Sequence, residues 1–314
     1  MKIFGILKNK FPNNSLVKVG NSNKFIPFEN LVVLNFLKFF QNKGFYVERN
    51  YIENEIKENK DISFYKDFDL IISYSLKSQF LLEIKKINPN ILIIEMPYIF
   101  RQINKSSKDQ PYMRIMWNNH LGNNFISKYS NGCIRKNFKR INLETYKNFG
   151  NGILVINQME NDTAVVPTNP YSWVESTIHK IRQITNEKII IKEHPLQIEK
   201  AYRIEQIIEK NNYKNCFLST KSDINNDLAE TRVCVTFSSG SIVDSIINGV
   251  PSFALDKRSC AYEISNNDLN EIDDPLMIDR SNFLSALSNT HWTFDEVTKG
   301  NCWEYFDNEF YKKL

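Results

Sequence analysis

Two short segments in the second half of the chain carry residue types that bind and move anionic groups. The first is Lys192-Glu193-His194-Pro195, directly after Ile189-Ile190-Ile191. A lysine at the end of an apolar run can pair with phosphate, and a histidine beside it can donate or accept a hydrogen bond. The competing use is a structural strand end. The second segment is Ser238-Ser239-Gly240-Ser241, set between Val235-Thr236-Phe237 and Ile242-Val243-Asp244. A small-residue turn that opens a helix offers backbone N–H groups and hydroxyls at the positive end of the helix dipole, where a diphosphate or a sugar phosphate can sit. The same serines can instead serve as helix caps. No Walker A loop and no GxGxxG fingerprint is present, which turns the expectation away from nucleoside-triphosphate and dinucleotide chemistry.

These segments act together only if neighbouring strands of one sheet present them. Apolar runs alternate with helical-period stretches through most of the chain, the pattern of βαβ units and an α/β fold. In the second half, strands are expected at 153–157, 188–192, 215–218, 233–237 and 252–255. Helices at 171–185, 198–211, 224–229 and 242–248 separate them, with Pro170 suited to a first helical turn. That is a doubly wound domain, whose ligands sit beyond the carboxyl ends of the strands. In the first half, strands are expected at 2–7, 45–48, 69–74 and 91–95, and helices at 29–42 and 77–87. After Met96-Pro97 the pattern dissolves into a long polar, aromatic and basic loop reaching Asn142. Gly150-Asn151-Gly152 before a fresh strand marks a domain boundary. The expected organisation is therefore 1–149, 150–300, and a C-terminal helix over 301–314 that returns to the N-terminal domain.

The 314 residues, 42% hydrophobic and 24% charged, suit a globular protein of two domains. The N-terminal apolar run is too short for a signal peptide and no run of about 18 apolar residues occurs, so a soluble, cytosolic protein without integral membrane association is expected. Five scattered cysteines without a CxxC pair argue against a disulfide framework or a zinc site. The net charge of +4 hides a split. Residues 1–150 hold 24 Lys+Arg against 12 Asp+Glu, and residues 151–314 hold 16 against 24. Residues 101–147 alone carry ten basic and two acidic side chains, which suggests contact with a polyanion. A solvated basic face is the plainer alternative.

Lys-x-His-Pro after a buried strand, then Thr236-x-x-Ser239-x-Ser241-x-x-Asp244 and Gly249-Val250-Pro251, resembles the donor domain of capsule-polysaccharide Kdo-type transferases and related phage-encoded glycosyltransferases. Gln158-Met159-Glu160-Asn161-Asp162-Thr163 is similar to the family's loop after the first strand of that domain. Leu255 through Glu263, and His291-Trp292-Thr293 through Trp303, look more like the phage branch. Trp117-Asn118-Asn119-His120-Leu121-Gly122-Asn123 is a degraded likeness of a segment there. The resemblance runs well from Gln158 to Trp303 and poorly before. Where the family often reads Arg-Pro-His-Pro or Lys-Pro-His-Pro, this chain has an acid, Glu193.

The resemblance implies a GT-B glycosyltransferase: two Rossmann-like doubly wound domains facing each other across a cleft, the donor on the C-terminal one. Gln158, Asp162, Thr163, Lys192, His194, Ser238, Ser239, Gly240, Ser241 and Asp244 would then face a nucleotide-sugar, a UDP-sugar or CMP-sugar used as substrate, with no permanently bound cofactor. Such an enzyme stabilises a leaving phosphate and, for inversion, supplies a base to the acceptor hydroxyl. No metal is required if Lys, N–H groups and hydroxyls neutralise the leaving group. Asp67-Phe68-Asp69 has the letters of a DxD metal motif but precedes a strand, so boundary polarity is its expected role. Glu95, ending the strand 91–95, is the first candidate base, with His120 and Asp109 as rivals. Arg101, Arg114, Trp117, Arg135, Lys136 and Arg140, interleaved with further aromatics, suit phosphates and unstacked bases. The leading expectation for the acceptor is thus a hydroxymethylated pyrimidine in double-stranded phage DNA, flipped for reaction in the host cytoplasm. A capsule or lipopolysaccharide acceptor, and a non-catalytic nucleic-acid-binding protein of the same fold, are the alternatives.

Overall fold

The computed structural model describes residues 1–8, 16–18, 25–57, 61–75, 79–101, 107–109, 111–119, 121–138 and 141–313. His120, Arg140 and the expected helix start at Lys77 lie outside the described residues. The chain divides into two compact units, Met1–His120 with Ser288–Leu314, and Leu121–Leu287.

The first unit holds β1 (Lys2–Leu7), a small antiparallel pair β2 (Leu16–Lys18) and β3 (Phe25–Pro27), α1 (Phe28–Asn42), β4 (Tyr46–Tyr51), α2 (Ile52–Lys57), β5 (Leu70–Tyr74), α3 (Gln79–Ile87), β6 (Ile91–Glu95) and β7 (Met113–Trp117). β4, β1, β5 and β6 lie side by side and parallel, and β7 adds antiparallel to β6. The inner strands read as unbroken apolar runs because helices cover both faces. Edge strand β4 runs to Tyr51, beyond the expected Glu48: Arg49 and Asn50 continue the ladder with β1 although their side chains carry no apolar signal.

β7 corrects the expectation of one long loop after Met96. All five of its residues are buried, and Arg114, its second residue, breaks the apolar run that would have announced it. The chain's last segment also pairs with it. After α4 (Phe125–Tyr129) and the second unit, α9 (Ser281–Thr290) leads to β13 (His291–Trp292), antiparallel to β7. Then α10 (Phe294–Lys299) begins with a capping box between Thr293 and Glu296, and Gly300, at φ 79°, breaks it from α11 (Asn301–Glu309).

The second unit contains β8 (Ile153–Ile156), α5 (Pro170–Arg182), β9 (Ile189–Lys192), α6 (Tyr202–Lys210), β10 (Cys216–Leu218), α7 (Ile224–Glu230), β11 (Val233–Thr236), α8 (Ile242–Ile247) and β12 (Ser252–Ala254). All five strands are parallel, in the order β10-β9-β8-β11-β12. One face packs Ile153, Val155, Ile189, Ile191 and Val235 on α5 and α6; the other packs Leu154, Ile156, Ile190 and Cys234 on Leu228 of α7 and Val250. The helix expected over 198–211 is split: Pro195–Lys200 is a 3-10 turn with Gln197 at φ −133°, and its amide oxygen accepts the Glu160 N–H at 3.0 Å.

The division falls at His120/Leu121, ahead of Gly150, because residues 121–149 pack on the second unit. The Gly122 N–H donates to Arg258 O (2.7 Å), the Tyr146 hydroxyl to Ile278 O (2.7 Å), and the Glu144 and Lys147 N–H groups to Ile247 O and Gly249 O (2.9 and 2.8 Å). Gly249 has φ 69°, and a Cβ there would collide with Thr145 O. Gly249→Ala should therefore destabilise the protein by about 2 kcal/mol, read by chemical denaturation; wild-type stability would show that the 144–147 strap is not held in this way.

Candidate functional site

The second sheet reverses direction between β8 and β11: the chain goes from β8 outward through β9 to β10, then returns to β11 and β12 on the other side. Loops leaving the strands at such a point diverge and open a crevice. Here β8 delivers Asn157 and Gln158, β9 delivers Lys192 to His194, β11 delivers Phe237 to Ser241, and β12 delivers Asp256 and Arg258.

Gln158 spans the reversal. Its Oε1 accepts the Ser238 N–H (2.8 Å), and its Nε2 donates to Ser238 Oγ (3.3 Å), whose hydroxyl donates to Ala164 O (2.7 Å). Gln158 and Ser238 are both buried. Asp162 shapes the loop after β8: Oδ1 accepts the Ala164 N–H (2.9 Å) and its carbonyl accepts those of Val165 and Val166, with Thr163 half-buried between. In the turn after β11, Ser239 Oγ accepts the Ser241 N–H (3.2 Å), and the N–H groups of Ile242, Val243 and Asp244 bond back to Ser239, Gly240 and Ser241. The backbone N–H groups of Ser239 and Gly240 have no acceptor among the described residues. Asp244 is half-buried in the first turn of α8.

Lys192 and His194 stand at the next strand end. Lys192 is buried, and its ammonium donates to Asp227 Oδ2 and to Lys221 O, both at 2.7 Å. Asp227 also accepts the Ser219 hydroxyl at 2.8 Å. The lysine charge is thus matched within the fold. His194 caps the 3-10 turn, its Nδ1 accepting the Leu196 N–H at 3.2 Å; in the neutral ring this puts the proton on Nε2. Glu193 is 4% exposed and accepts from Asn157 Nδ2 (3.0 and 3.2 Å) and from the His194 N–H (2.6 Å).

Several supporting residues escape sequence reading. Lys200 and Arg203 reach back to Glu160 (2.6 and 2.5 Å), pinning the loop after β8 and holding the Glu160 carboxyl below the usual range. Arg258 is gripped by Asp256 (2.7 and 3.0 Å), donates to Val166 O (2.6 Å), and lies 5.3 Å over the Phe237 ring. Asp256-Lys257-Arg258 was within reach as part of the family-like segment; Asp227 and Arg203 carried no signal.

In the first unit, Glu95 is half-buried at the end of β6, and the ladder aligns it with Arg114, which in turn aligns with His291. Arg114 is buried with its guanidinium 3.8 Å over the Tyr98 ring, and the Tyr98 N–H donates to His291 Nε2 (2.9 Å). Trp117 is buried and stacked on Phe310, 6.0 Å between centroids at 12°. Asp109 is exposed in the turn Ser107–Asp109, Arg101 and Lys136 are exposed, and Arg135 is half-buried. The described residues therefore bring the donor-side candidates to adjacent strand ends of one sheet, and Glu95 to Arg114.

No family model matches the chain, and no curated protein matches it. Among solved structures it is similar to the β-Kdo 2,7 transferase of KpsC from Thermosulfurimonas dismutans, at 11% identity and a TM-score of 0.52, over 97% of this chain and 99% of that one. It is also similar to the β-Kdo 2,4 transferase of KpsC from the same organism, with 10% identity, 82% and 87% coverage and a TM-score of 0.42. A further similar structure is AviGT4, a glycosyltransferase involved in avilamycin A biosynthesis, with 10% identity, 98% coverage of each chain and a TM-score of 0.34. At such identities the first of these bears on fold alone, and it bears out the expected α/β class: this chain has the GT-B glycosyltransferase fold. Among the described residues no helix is long and apolar enough to cross a membrane.

The pairing of Lys192 with Asp227 yields a direct test. Removing one partner strands a buried charge, which costs about 3 kcal/mol or more, whereas removing both leaves packing to compensate. Asp227→Ala should lower the denaturation midpoint markedly, and Lys192→Met combined with Asp227→Leu should restore much of the loss. Equal destabilisation by the single and double variants would show that the charges are not coupled.

Proposed function

We propose that this protein is a glycosyltransferase. A UDP-sugar or CMP-sugar lies at the carboxyl ends of β8, β9 and β11, and the acceptor is a hydroxyl of an acidic, capsule-type saccharide. One observation carries the donor half: at the reversal of a doubly wound sheet, the adjacent N–H groups of Ser239 and Gly240 lack acceptors among the described residues while Gln158, Ser238 and Arg258 hold the surrounding loops in place. Preorganised donors of this kind stabilise the charge that builds on a departing phosphate without reorganising during reaction. His194, two residues beyond the end of β9, is the next candidate. Lys192, its charge already balanced by Asp227, acts by fixing the strand end instead of as a lone cation.

Glu95 is assigned the acceptor's proton, ahead of Asp109, because it ends a parallel strand of its sheet. The acceptor reading turns on the aromatics of the basic stretch. A base flipped out of DNA is normally stacked on exposed rings. Tyr112, Trp117, Phe125, Tyr129 and Phe138 are all buried, and Arg114 with them. Of the rings in that stretch only Phe100 is exposed; beside it, among the described residues of the first unit, Arg101 and Lys108 lie at the surface and suit the carboxylates of an acidic glycan.

Labelled UDP- and CMP-sugars incubated with acidic oligosaccharides and, separately, with hydroxymethylated duplex DNA test both halves. Transfer to the saccharide is expected; transfer to DNA alone would overturn the acceptor assignment, and neither binding nor turnover with any donor would overturn the enzyme. His194→Ala should reduce turnover about 10- to 100-fold, with the small loss of stability expected from removing the cap of the 3-10 turn, and Glu95→Gln by at least as much with unchanged melting. Wild-type rates in either variant would remove that residue from the site.

A further inference from the structure

Lys192-Glu193-His194-Pro195 places a carboxyl group at a strand end beside the reversal of the sheet, and its surroundings show how the fold manages it. Lys192 and Glu193 turn to opposite faces of the sheet: Lys192 toward Asp227 of α7, Glu193 toward β8 and α5. Around Glu193 stand Asn157 from β8, fully buried; the Tyr171 hydroxyl from α5, beside the carboxyl without hydrogen-bond geometry; and Glu160 from the loop after β8. The nearby cations are committed elsewhere. Lys200 and Arg203 pair with Glu160, and Arg203 lies 4.7 Å over the Tyr171 ring. Among the described residues no lysine, arginine or histidine nitrogen forms an ion pair with Glu193.

A carboxylate this buried and without a counter-charge is costly, and such groups take up a proton instead. A second observation points the same way. With Asn157 Nδ2 donating to the carboxyl, Asn157 Oδ1 is buried with no donor among the described residues. A half-turn of the amide, whose two ends have nearly the same shape, brings Oδ1 to face the carboxyl. That orientation is favourable only if Glu193 has an O–H to give.

We propose that Glu193 keeps its proton at neutral pH and serves as an uncharged positioning residue: it accepts the His194 N–H, donates to Asn157 Oδ1, and so locks β8 to β9 without adding negative charge to the crevice. Burial is the largest influence and pushes the carboxyl above its ordinary range; Glu160 adds to it, and the hydrogen bonds from His194 and Asn157, with the Tyr171 hydroxyl close by, oppose it. The protonation does not rest on the glycosyltransferase reading; only its benefit to an anionic donor does.

A raised carboxyl pKa supplies stability that is fully present at low pH and lost as pH rises through the folded-state value. The intact chain and Glu193→Gln are compared by denaturation from about pH 5 to about pH 9, and by carbon NMR of carboxyl-labelled glutamate. The expected result is a gap between the two midpoints that widens in favour of Glu193→Gln as pH rises. One glutamate carbon should still be protonated at neutral pH, and that resonance should be missing in the variant. Parallel stability curves, or no protonated glutamate at neutral pH in the wild-type chain, would overturn the proposal; the wild-type spectrum decides even if the variant fails to fold. Nucleotide-sugar binding, measured on the same samples, reports separately on the donor reading.

Discussion

β8 and β11 are hydrogen-bonded neighbours as far as Ile156 and Thr236, and beyond that pair their chains must part, because one connection runs to β9 and the other to α8. The divergence creates the crevice, and it would also leave two buried backbones without partners. Gln158 resolves both demands by accepting the Ser238 N–H with its own side chain, while the Ser238 hydroxyl turns away to Ala164 O. The consequence reaches the chemistry directly. With Ser238 tied back, the next two N–H groups, of Ser239 and Gly240, have no acceptor among the described residues, and Ser239 Oγ bends the turn by holding Ser241.

Charge in this unit follows a related logic. Three charged groups near the strand ends are balanced within the fold: Lys192 by Asp227, Glu160 by Lys200 and Arg203, Arg258 by Asp256. Such pairs, buried for Lys192 and Asp227 and partly exposed for the others, contribute little net stability, but they hold strand ends and loops in one arrangement. On the proposed reading the donor is then met by neutral groups fixed in direction, which suits a leaving group whose charge appears only as the sugar departs.

How much of this was legible in the sequence depends on what each residue's partner is. The strands of the second unit were readable because sheets covered on both faces demand continuous runs such as Ile189-Ile190-Ile191, and the small-residue turn was readable because few side chains fit there. β7 was not, since Arg114 interrupts it and its mate β13 comes from the far end of the chain. The aromatic and basic stretch misled for a simpler reason: composition cannot tell a Trp117 stacked on Phe310 in a core from one offered to a base. Lys192 looked like a phosphate ligand from its address, but its partner Asp227 is 35 residues away on a helix with no motif of its own. The acid in Lys-Glu-His-Pro looked like a defect until its burial was known.

The most direct test of the donor site is a crystal structure of the intact chain with UDP or CMP. If the crevice works as described, a phosphate oxygen will lie within about 2.7–3.2 Å of the Ser239 and Gly240 amide nitrogens, with Lys192 still bound to Asp227. A nucleotide ordered elsewhere on the second unit, or Lys192 drawn off Asp227 to reach the phosphate, would contradict it.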